Sequence, residues 1–110
     1  MNKTENIQYS VEIKKNHPHF KGHFKHYPVF PGVSQINMIK KFLITHLKYD
    51  NLRILEIEKC KFTKLILPNS KLILDLNLIN INENSSKKEC QWIIKGINGD
   101  TFSKGSLFYE

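Results

Sequence analysis

The side chains able to do proton chemistry are concentrated in one stretch, His17 to Met38 (HPHFKGHFKHYPVFPGVSQINM), which carries four of the five histidines and three of the four prolines. An imidazole titrates near neutral pH, so it can take a proton from a reacting atom and give it back. The stretch runs straight into an apolar-periodic segment beginning at Pro31-Gly32. A helix N-terminus offers unpaired N–H donors and the positive end of a dipole, which suit an oxygen that is gaining negative charge. A loop that places so many conformationally special residues there suits an active site better than a surface connector. The same histidines, His17, His19, His23 and His26, are spaced closely enough to converge on a metal. No Cys or acidic residue joins them, so no metal is expected, and His17 and His19 read as exposed loop residues. His46 sits near the helix end, where a cation is favoured by the dipole.

The elements that must position this loop follow from periodicity. Residues 7–13 alternate Ile7, Tyr9, Val11 and Ile13 on one face and predict a half-buried strand. After the loop 14–31, apolar residues fall at Val33, Ile36, Ile39, Phe42, Leu43 and Leu47, widened by Met38 and Ile44. That spacing predicts a helix of about four turns, packed deeply against a sheet and ending near Lys48–Asn51. A long strand is predicted over Leu52–Leu67, with a turn at Pro68-Asn69-Ser70 and a closely alternating strand over Lys71–Asn82. The polar cluster Asn82–Lys88 reads as a turn. Gln91–Ile97 and Thr101–Tyr109 flank Asn98-Gly99-Asp100, a hairpin signal. One strand, one long helix and four antiparallel strands make a single α+β domain over 1–110, whose sheet edges dimerisation commonly resolves.

Composition is that of an ordinary globular protein, 40% apolar and 25% charged over 110 residues. Cys60 and Cys90 are far apart in strand-like runs and read as buried or half-buried thiols. The start MNKTENIQYS lacks a signal-peptide core and no apolar run reaches spanning length, so a cytoplasmic protein without a membrane span is expected. The formal charge of +7 suits an acidic partner, although lysines spread along the whole chain fit a lysine- and asparagine-rich coding bias equally well. Nucleic acid is not expected, because no helix-turn-helix, RNP or zinc-finger pattern is present. Trp92 and most of Phe20, Phe24, Tyr27 and Phe30 read as core or sheet packing.

GHFKHYPVFPGVSQI resembles the signature of hot-dog-fold 3-hydroxyacyl-(acyl-carrier-protein) dehydratases of the FabZ/FabA type, roughly G-H-F-P-x-x-P-x-x-P-G-V. The matching residues are Gly22, His23, Phe24, Pro28, Pro31, Gly32 and Val33. KFTKLILPNSKL and FSKGSLFYE are similar to two later stretches of that family. The resemblance implies a five-stranded antiparallel sheet wrapped around the long helix, a homodimer or dimer-based oligomer whose two sheets join, and acyl-thioester sites at the interface. It implies His23 as the catalytic base, the backbone N–H of Gly32 or Val33 as the donor to the thioester carbonyl, and Phe24 beside the acyl channel. No organic cofactor is implied. The substrate would arrive on acyl carrier protein or coenzyme A, and Lys21, Lys25, Lys40 and Lys41 are the candidates for steering an acidic carrier.

Two departures bear on the chemistry. The family's acidic helix residue, fourteen positions after the histidine and supplied by the other subunit, falls on Asn37, and no acidic residue lies between Glu12 and Asp50. A carboxamide holds a water or hydroxyl by hydrogen bonds but does not exchange a proton near neutral pH. Lys25-His26 also stands where Pro-Gly is common. Three functions stay open: dehydration of a 3-hydroxyacyl thioester to the trans-2-enoyl thioester by His23 with Asn37 orienting, thioester hydrolysis with Asn37 holding the water, or binding without turnover as one subunit of a heteromer.

Overall fold

The structure is a computed structural model that describes residues 3–14, 32–48, 51–67, 69–80 and 88–110. Among these residues, five strands and one helix occur in the expected order: β1 (Lys3–Ile13), α1 (Gly32–Leu47), β2 (Ile54–Phe62), β3 (Ser70–Asn80), β4 (Lys88–Gly96) and β5 (Thr101–Tyr109). The strands form one antiparallel sheet in the order β1-β3-β4-β5-β2. No helix among the described residues is long and apolar enough to cross a membrane.

The centre of the sheet follows the two-residue period. Leu72, Leu74, Leu76 and Leu78 of β3 are buried beside Cys90, Trp92 and Ile94 of β4 and Leu107 and Tyr109 of β5. All project toward α1, whose Ile39 and Leu43 complete the core. Phe42 stacks on Tyr9 of β1 with ring centroids 4.3 Å apart. Trp92 lies directly opposite Gly105, and a Cβ at that glycine would come within 2.6 Å of the indole. Its Nε1–H donates to the buried Ser103 Oγ at 3.2 Å, so the largest core side chain has no unsatisfied polar atom.

The ends of the elements have local causes. Lys48 closes α1 in the left-handed region (φ 57°). His46 in its last turn meets Glu5 of β1 at 2.5 Å, which ties the basic end of the helix to the sheet. Gly99 (φ 97°) makes the β4–β5 turn, where Gly96 N–H donates to the Asp100 carbonyl at 2.7 Å.

Three boundaries differ from the sequence reading by three residues or more. β1 begins at Lys3 rather than Ile7, because its polar start pairs in register with β3, Lys3 opposite Asn80 and Asn6 opposite Asn77. Asn6 and Gln8 then donate to the Asp75 carboxylate at 2.7 and 3.2 Å. β4 begins at Lys88 rather than Gln91, again by pairing with its neighbours. The strand expected over Leu52–Leu67 ends at Phe62. Thr63 and Lys64 both turn their N–H groups onto the Phe102 carbonyl, at 2.9 and 3.3 Å, and this ends the regular ladder. Leu65 and Leu67 are left exposed around buried Ile66. The helix stripe is narrower than its sequence suggests at one point: Val33, expected on the packed face, is 72% exposed.

Candidate active site

The candidate site is the N-terminal turn of α1, and the chain delivers it through the Pro31-Gly32 boundary. Gly32 is the first residue of the helix and Val33 the second. Their N–H groups belong to the first turn, where no intrahelical acceptor exists. No acidic side chain stands in that turn to neutralise the positive end of the dipole. The arrangement is chemically suited to an anionic or strongly polarised oxygen.

Gly32 is required by a close approach. A Cβ there would lie 2.8 Å from Phe62 Cζ and 3.0–3.1 Å from two further ring carbons. The aromatic ring at the end of β2 therefore rests against the helix entry and walls one side of it. Phe62 is still 47% exposed, so its other side is open. Sequence reasoning placed Phe62 only as an apolar strand position. The family-like KF pair, Lys61-Phe62, was its signal, but nothing in the spacing said that the ring would meet Gly32.

Two polar side chains of the same turn, Ser34 and Gln35, are buried, at 6% and 3% exposure. They were also missed, because a helical stripe is sought among apolar residues. Their burial makes this turn a polar region set under the site. Gln35, Ile39 and Leu43, four residues apart, form the ridge that meets the sheet.

Asn37 falls on the opposite side of α1. It is exposed, and Val33 and Lys41, one turn before and after it, are exposed with it. The chain's own sheet does not cover this face. Lys40 is half-buried and Lys41 exposed, both on the helix that carries the site. His23, Phe24, Lys21 and Lys25, together with His17, His19 and His26, lie outside the described residues, so the structure brings Gly32 against Phe62 and carries Val33 and Asn37 on the exposed side of the same helix, but does not describe the histidine.

Among the described residues, concavities also occur elsewhere. One, of about 310 Å³, sits at the other end of the helix, lined by Glu5, Leu47, Leu78 and Tyr109 among others. A groove of about 480 Å³ lies over β2, β4 and β5, with Lys59, Lys61 and Lys104 at its rim and Ile93 in its floor. Neither includes the helix entry. Of the two thiols, Cys90 is buried and its pKa is pushed up to about 12 by burial, with the neighbouring Glu89 charge adding to the effect. It is chemically inert in the folded chain.

A family model described as ApeI-like, ApeI dehydratase, matches residues 1–106. The FabZ 3-hydroxyacyl-[acyl-carrier-protein] dehydratase of Ehrlichia chaffeensis is 28% identical over 84% of this chain and 67% of its own length. That of Lawsonia intracellularis is 31% identical over 72% of this chain and 58% of its own length. The chain thus spans a little over half to two thirds of these two curated relatives. Among solved structures, an uncharacterised protein from Erwinia carotovora aligns with a TM-score of 0.74 at 26% identity, covering 97% of this chain and 84% of that one. The dehydratase heterocomplex ApeI:P from Xenorhabdus doucetiae aligns at 0.72 and 22% identity, covering 97% and 93%. The (R)-hydratase from A. caviae aligns at 0.72 and 10% identity over 96% of this chain and 93% of its own. The shared architecture is the hot-dog fold.

Proposed function

The chain belongs to the ApeI-like dehydratase family, of FabZ/FabA type, and from that premise we propose that it removes water from a 3-hydroxyacyl thioester to give the trans-2-enoyl thioester. The observation that carries the reading is the helix entry. Two consecutive N–H groups with no carboxylate in their turn stand beside an aromatic wall. In the reaction His23 takes the proton from the carbon next to the thioester carbonyl. The resulting enolate charge gathers on the carbonyl oxygen, where Gly32 or Val33 N–H and the helix dipole stabilise it. The electrons return to form the carbon–carbon double bond as the C3–oxygen bond breaks. The His23 proton joins the departing hydroxide, and one water leaves. Each base role is thereby reset without a second acid.

Asn37 acts by hydrogen bonding alone, holding the C3 hydroxyl in line for departure. Its exposed face on α1 suits a site completed by a second chain, so we read the working form as a dimer, with Phe24 and Phe62 beside the acyl chain. A carrier protein or coenzyme A presents the thioester, and Lys21, Lys25, Lys40 and Lys41 steer its acidic surface.

Mass analysis of a 3-hydroxyacyl thioester after incubation tests this. Loss of one water is expected, with a rate reduced roughly 100- to 10,000-fold in His23→Ala. Asn37→Ala is expected to cost about tenfold, the size of one neutral hydrogen bond. Free acid in place of enoyl product makes the chain a thioesterase. Unchanged substrate makes it a binding subunit.

A further inference from the structure

Two lysines near the β4–β5 hairpin have a carboxylate of the same chain: Lys64 reaches Asp100 at 3.1 Å and Lys95 reaches Asp75 at 3.8 Å. Lys59, Lys61 and Lys104 do not. Among the described residues these three make no ion pair, yet they share the groove of about 480 Å³ over β2, β4 and β5. Lys61 lies directly opposite Lys104, a like-charge pair that destabilises a ladder when nothing offsets it. Lys59 stands in the left-handed region (φ 52°), in the β2 bulge opposite Gly105. That backbone conformation is costly for a residue with a Cβ, and a bulge re-aims a side chain. Two separate costs therefore fall on one groove and bring a third cation to it.

The lining of the groove is not that of a merely solvated charge cluster. Ile93, opposite Lys104, is 40% exposed on a face where the other outward positions of β4, Glu89, Gln91 and Lys95, are polar. Gln91 and Ser106, directly opposite each other, add an amide and a hydroxyl. The Gln91 amide otherwise donates to Glu89 Oε2 at a long 3.4 Å. No carboxylate lines the groove among the described residues. Its extent is limited, because the outward charges soon turn acidic: Glu58 lies opposite Ser106, and Glu56 and Glu89 lie beyond, both opposite Phe108. A broad anionic surface laid on this face, such as a bilayer or a nucleic acid, would meet those carboxylates too. A compact anion seated in the groove meets the lysines alone. The groove is also separate from the helix entry, because Lys61 points to it while the next residue, Phe62, turns to Gly32.

We propose that this groove is a second binding site, for a small organic phosphate: a phosphate monoester whose carbon side carries an apolar or aromatic group. Such a phosphate holds nearly two negative charges at neutral pH, which suits three ammonium groups where a single carboxylate would leave two of them without a counter-charge. Its oxygens accept hydrogen bonds from Lys59, Lys61 and Lys104, and from the Gln91 amide or the Ser106 hydroxyl. The apolar group lies on Ile93. The bound anion offsets the repulsion between Lys61 and Lys104, and the left-handed turn at Lys59 completes the cationic rim. The volume falls within the roughly 300–1,000 Å³ of small-molecule sites.

Calorimetric titration of the full chain with phenyl phosphate and with inorganic phosphate tests this. It uses no thioester, so it holds or fails separately from the dehydratase chemistry. One phenyl phosphate per chain is expected, bound about tenfold more tightly than inorganic phosphate because its ring covers Ile93. Lys61→Gln with Lys104→Gln is expected to weaken phenyl phosphate at least about 30-fold, the loss of two charge-assisted hydrogen bonds. Lys14→Gln with Lys71→Gln, which removes the same charge from exposed positions elsewhere, is expected to change it less than about twofold. Ile93→Ser is expected to bring phenyl phosphate down to the affinity of inorganic phosphate. All five positions are exposed, so folding, checked by circular dichroism, is retained. Absence of binding overturns the proposal, as does equal weakening by the two lysine pairs, which would reduce the effect to overall charge. Equal affinity of the wild-type chain for the two phosphates overturns it as well. So does sedimentation of the chain with phosphatidylglycerol vesicles but no binding of phenyl phosphate, which would give the lysines to a bilayer.

Discussion

The β3–β4 centre and the β2 edge belong to one sheet, yet they are made by different rules. The centre pairs without interruption from Leu72 opposite Gly96 to Ile79 opposite Glu89, and alternate side chains are buried. β2 slips its register twice against β5, carries a left-handed lysine and leaves inward apolar residues open. The centre's residues have all their partners within the chain. Most of those of β2 stay open to solvent, although Ile54 and Cys60 pack on the core. Burial is therefore concentrated at the centre of the sheet and exposed apolar surface at its β2 edge, with Phe62 joining the edge to the helix entry.

The sharpest way to break this contrast is to truncate one residue in each region. Leu76→Ala at the centre is expected to cost about 2–5 kcal/mol in denaturant unfolding, as a buried leucine without room to collapse does. Ile57→Ala, at a position 40% exposed, is expected to cost less than about 1 kcal/mol. Equal losses would erase the distinction. A smaller effect tests the packing of the centre from the opposite direction. Gly105→Val pushes a side chain into the Trp92 ring and is expected to destabilise by roughly 1–3 kcal/mol.

The thiols give a third comparison. Cys90 at the centre and Cys60 on the edge both have raised pKa values through burial, Cys90 to about 12. The Cys90 shift makes the folded state hold a proton that the unfolded chain releases above an ordinary value near 9. Stability therefore falls as pH rises through that window and is unaffected below it. Alkylation followed by mass analysis near pH 8 is expected to modify Cys60 well before Cys90, and comparable rates would mean that the centre opens as easily as the edge.

The smallest expected effect lies where the two regions meet. The Lys64 ammonium lies 3.1 Å from Asp100 and, through its hydrogen bond first and its charge second, holds that carboxyl below the usual range. The contribution is present at neutral pH and is lost as pH falls through the lowered value. In Lys64→Ala the Asp100 titration, followed by NMR, is expected to move back up toward the ordinary carboxylate range.

The centre was legible because Leu72, Leu74, Leu76 and Leu78 write a two-residue period into the sequence, and the helix because its ridge recurs every four residues. The edge was not. Leu52–Leu67 looks like one continuous strand, since neither a bulge at Lys59 nor a carbonyl shared by Thr63 and Lys64 leaves a mark on hydrophobicity. At the site, Gly32, Val33 and Asn37 were singled out by the resemblance of the stretch around His23 to the family motif. Phe62 and the buried Ser34 and Gln35 were hidden, because contacts made across the fold have no local pattern.

Trp92 is the only tryptophan in the chain, and it is held at the rigid centre by Gly105 and Ser103. The molecule consequently carries a single optical label, buried at the centre of the sheet beneath the groove that Lys59, Lys61 and Lys104 share. Its emission should shift to the red only when the whole sheet opens. That makes it an internal gauge of global unfolding, against which every substitution at the edge or the entry can be read without adding a dye.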